Sequence, residues 1–90
     1  MTKIFKDFDQ AYKAMPACLI GACDDYVGIT TEARRDNEDP MALLRNLVST
    51  ELDLIDEGEE AAENYTKRQV ASIRRYHAKL CESTGYKVEP

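Results

Sequence analysis

The sequence predicts an all-α fold, a small bundle of three or four helices. Three observations carry this expectation. Apolar residues recur at three- to four-residue spacing through most of the chain, as the buried face of a helix requires. Helix-start signals stand at Asp39-Pro40 and at Thr66 with Gln69. A hairpin would need further strands to pair with, and only "GYKVE" is on offer. The competing architecture is α+β, with a β-hairpin at about 17–31.

In the first segment Ile4, Phe5, Phe8, Tyr12 and Met15 share one helical face. A helix is therefore expected from Ile4 to Met15, stopped by Pro16, which disfavours helical geometry in the residue before it. The next stretch supports two readings. Pro16 can open a second helix in which Leu19, Ala22, Tyr26 and Ala33 keep helical spacing to about residue 36. Alternatively "YVGITT" is rich in strand formers, and Asp24-Asp25 would turn a hairpin. Asp-Asp lacks the glycine such turns favour, so helix is the expectation.

The third helix is the clearest. Asp39 caps it and Pro40 fills its first position. Met41, Leu44, Leu47, Val48, Leu52, Leu54 and Ile55 form a broad apolar stripe. Gly58 marks its end, unless "EEAAEN" extends it. The last helix has two rival starts, at Glu59-Glu60 and at the Thr66–Gln69 capping box. Val70, Ile73, His77 and Leu80 mark its inner face, and it ends before Gly85. The chain reads as one domain over 1–90, with a tail over 84–90 that is either a short extended end or frayed.

Charge narrows the function. The net charge is −5, which opposes simple coating of nucleic acid or attraction to anionic membranes. No run of about 18 apolar residues is present to span a bilayer. Three cysteines cannot all pair within the chain; reduced thiols in a cytoplasmic setting are expected. The charge is segregated. Residues 41–63 hold seven acids and one base, and residues 64–90 hold six bases and two acids.

The three cysteines and the single histidine would make one Cys3His set: Cys18, Cys23, His77 and Cys81. His77 and Cys81, four apart on a helix, can face one ion. Cys18 and Cys23 cannot do so on regular structure, because at about 100° per residue their side chains diverge by about 140° on a helix. Buried thiols are the simpler reading, and no metal or other cofactor is expected. Glu51 and His77 both interrupt apolar stripes and could pair in the core, with Arg74 as a rival partner for Glu51.

No phosphate loop, dinucleotide fingerprint, zinc-protease motif or nucleophile elbow is present, and enzyme chemistry is not expected. The leading expectation is an acidic protein-interaction module, an inhibitor or adaptor. It would bind a larger protein with a basic surface, one that could handle nucleic acid, through Asp53, Asp56, Glu57, Glu59, Glu60 and Glu63. The alternative is a nucleic-acid-binding helix using Arg68, Arg74, Arg75 and Lys79, of which Arg68, Arg75 and Lys79 align on one face. Self-association through the opposed charges is a further option.

Overall fold

The computed structural model describes residues 4–21, 25–58 and 63–85. These form four α-helices and no strand: α1 (Phe8–Lys13), α2 (Tyr26–Arg35), α3 (Pro40–Asp56) and α4 (Lys67–Thr84). The all-α expectation holds, and the hairpin alternative is overturned. "YVGITT" lies within α2, because Asp25 caps that helix and its carboxylate accepts from the Gly28 amide at 2.7 Å.

The first two helices are shorter than their periodicity implies. Asp7 is the N-cap of α1, accepting from the Gln10 amide, so the helix opens at Phe8 rather than Ile4. Phe5 is nevertheless buried, in the chain that leads into the helix. The expected continuous helix over 16–36 is broken. Ala17–Leu19 make one 3-10 turn, Ile20 is extended, and Gly21 takes φ +99°, where only glycine is at ease. At the far end of α2, Asn37 adopts φ +56°. Its amide donates to Arg34 O, and that of Glu38 donates to Ala33 O. This is the Schellman pattern with asparagine in place of glycine.

α3 starts where expected, with Asp39 accepting from the Met41 amide. It stops at Asp56, and Gly58 in the left-handed region (φ +73°) rules out extension through "EEAAEN". α4 uses the Thr66–Gln69 capping box, with both reciprocal bonds formed at 3.1 and 2.8 Å. The rival start at Glu59-Glu60 falls on residues outside those described, but α4 itself begins at Lys67. The tail expected over 84–90 is only partly described. Thr84 is the last residue of α4, and Gly85 closes the helix at φ +73°.

α3 is the central element, with α1, α2 and α4 all packed against it. The core is a single cluster in which Leu19, Ile29, Leu44, Val48, Ile73 and Leu80 are fully buried. α4 turns a different face inward from the one expected. Ile73, Tyr76, Leu80 and Ser83 are buried, while Val70 and His77 are half-buried at its edge. Polar bonds make the difference. The Tyr76 hydroxyl donates to Ala11 O on α1, and the Ser83 hydroxyl accepts from the Phe5 amide at 3.0 Å. The N-terminal segment is thereby fastened along α4. Among the described residues no buried side-chain nitrogen or oxygen lacks a partner.

Candidate functional site

The last turns of α3 carry Asp53, Asp56 and Glu57, all exposed, and no basic residue stands in the last turn. A helix C-terminus has a partial negative charge, so carboxylates are disfavoured there. Of these three, Asp56 alone has an ion-pair partner among the described residues, the Arg74 guanidinium of α4. Asp53 and Glu57 form no ion pair among the described residues. Glu63 is exposed on the connection to α4. Glu59 and Glu60, expected to join this surface, lie outside the described residues. Leu54 adds an apolar spot beside them, 38% exposed.

The basic residues divide. Arg74 turns to Asp56, so the acidic and basic segments do meet within the bundle. Arg68, Arg75 and Lys79 are exposed and form no ion pair among the described residues.

Glu51 is paired neither with His77 nor with Arg74. Its carboxylate accepts from the Tyr65 hydroxyl at 2.8 Å. Tyr65 precedes α4 by two residues, and helical periodicity gave no reason to bring it onto α3. A second tie missed in the sequence joins α3 to α4, with Arg45 donating to the Thr84 hydroxyl at 2.8 Å.

His77 and Cys81 do meet, the Cys81 sulfur lying 3.6 and 3.8 Å from the two ring nitrogens. Cys18 lies elsewhere, lining a groove with Arg68, Gln69 and Ser72, roughly two and a half to three and a half turns before Cys81 along α4. Cys23 is outside the described residues. Among the described residues no three of His, Cys, Asp and Glu come together as a metal site would require.

Both members of the His77–Cys81 pair are held neutral. Burial lowers the His77 pKa, helped by the nearby Arg45 charge and opposed by Asp53. Burial raises the Cys81 thiol, with Arg45 opposing. This is the reverse of the thiolate–imidazolium state that makes a cysteine a nucleophile. It also sets a pH dependence. As pH falls below about 6.5, the unfolded chain protonates His77 before the folded chain does. Stability should therefore be full above that value and decline as pH drops through the lower folded pKa. Urea midpoints at pH 7.5 and pH 5.5 check this. The difference should shrink in His77→Gln, and an undiminished difference would assign it to other groups.

No helix among the described residues is long and apolar enough to cross a membrane. No protein-family model matches the chain, and no curated protein or solved structure matches it significantly. The fold and its surfaces define a small all-α bundle with acid and base segregated on neighbouring helices.

Proposed function

We infer that this protein is a protein-interaction module, an inhibitor or adaptor that binds a basic surface of a larger partner through the acidic end of α3. One observation supports this above others. Asp53 and Glu57 form no ion pair among the described residues, and they stand at the end of a helix where their charge is least welcome. Local stability gives no reason for such an arrangement, whereas a basic partner would complement it and speed encounter. The half-exposed Leu54 supplies an apolar contact within the same patch.

The double variant Asp53→Asn/Glu57→Gln separates stability from binding. It should fold, with stability raised by about 0.3–1 kcal/mol per site at low ionic strength. Wild-type and variant chains would serve as baits in a nuclease-treated lysate, eluted in rising salt. A protein held by the wild type, released at moderate salt and missing from the variant supports the reading. Identical proteins on both baits would remove the acidic end of α3 as the binding surface. The nucleic-acid alternative has weaker support, because Arg74 is engaged by Asp56 and the chain as a whole is acidic.

A further inference from the structure

We propose that a second surface, independent of the acidic end of α3, binds an acidic peptide segment that carries one apolar side chain. A groove of about 280 Å³ lies between residues 16–18 and the first turns of α4. Pro16, Ala17 and Cys18 form its apolar wall, and Arg68, Gln69 and Ser72 form the other. The volume lies just below the usual range for ligand pockets, about 300–1,000 Å³. It suits a single side chain.

The charge beside the groove selects the rest of the ligand. At about 100° per residue, Arg68, Ser72, Arg75 and Lys79 fall within about 60° of one another around α4. The groove therefore opens at the head of a row of three exposed cations. None of the three is neutralised by an ion pair among the described residues. Arg74, one residue out of this row, is the one taken by Asp56. A bound chain could seat its apolar side chain between Pro16 and Ser72 and lay carboxylates along Arg68, Arg75 and Lys79.

Single-stranded nucleic acid offers the same negative charge, but it binds such grooves by stacking bases on aromatic rings. No aromatic residue lines this one among the described residues. An acidic peptide is the better match.

The test uses the full chain and three fluorescein-labelled probes: the capped hexapeptide EELEEE, its serine counterpart EESEEE, and hexathymidylate. Binding is read by anisotropy and by amide shifts of the ¹⁵N-labelled protein. EELEEE should shift residues 17–19 and 68–79 and bind at least about threefold more tightly than EESEEE. Arg68→Gln and Arg75→Gln should each weaken it about two- to fivefold. Both positions are exposed, so the fold should survive, and the amide spectrum of each variant verifies this. Equal affinity for the two peptides, tighter binding of hexathymidylate, shifts confined to other residues, or no binding by low millimolar peptide would each overturn the proposal. None of these outcomes involves Asp53 or Glu57, so failure here leaves the acidic surface of α3 to be judged by its own experiment.

Discussion

Replacing Leu44 with alanine should destabilise the protein by about 2–5 kcal/mol, the range for emptying a well-packed leucine site. Leu44 is fully buried on α3, the helix against which the other three pack. The cavity would open where no single neighbour can close it without pulling a helix away from another. A domain of 90 residues is expected to have about 5–13 kcal/mol in total. The substitution therefore removes a large share of the margin, and the variant should show a much lower urea midpoint. Val27→Ala is the control. Val27 is 69% exposed on α2, and its loss should change stability by no more than about 0.5 kcal/mol. If the two variants unfold together, the core is not centred on α3.

Tyr76→Phe should cost about 1–3 kcal/mol, although only one oxygen is removed. Tyr76 is 4% exposed, and its hydroxyl donates to Ala11 O. Phenylalanine fills the same volume, so little packing is lost. What remains is a buried carbonyl without its donor, which is the expensive outcome. The bond also joins α1 to α4 across 65 positions of sequence. α1 has six residues and could not persist alone. Hydrogen exchange should therefore accelerate first in α1, with α3 less affected. Unchanged stability, or equal acceleration in both helices, would show that the tether contributes little.

The proposed surfaces were partly legible in the sequence. The unbalanced acids at the end of α3 follow from Pro40 and Gly58, which bracket the helix and place Asp53, Asp56 and Glu57 at its C-terminus. The alignment of Arg68, Arg75 and Lys79 follows from the 3.6-residue repeat. The sequence could not say which charges are already satisfied. Helical spacing leaves Arg74 among its basic neighbours, and the packing of α3 on α4 sets it beside Asp56. The stripes make His77 or Arg74 possible partners for Glu51, yet it is Tyr65 on the connection that bonds to it. The groove depends on the 3-10 turn over Ala17–Leu19, and periodicity instead continues a helix through that point.

The sequence alone determined the helical class, the start of α3 and the stop at Gly85, and it offered Gly58 and the Thr66–Gln69 box each as one of two readings for the end of α3 and the start of α4. Each rests on a local rule: a side chain that satisfies a nearby amide, a proline at a helix's first turn, or a glycine free to take positive φ. The tertiary structure decided which face of α4 turns inward. Val70, Ile73, His77 and Leu80 and the observed Ile73, Tyr76, Leu80 and Ser83 lie on overlapping arcs of one helix, and hydrophobicity barely separates them. Tyr76 and Ser83 are buried because α1 and the segment before it bring a carbonyl and an amide to meet them. Such partners are distant in sequence, and no local pattern records them.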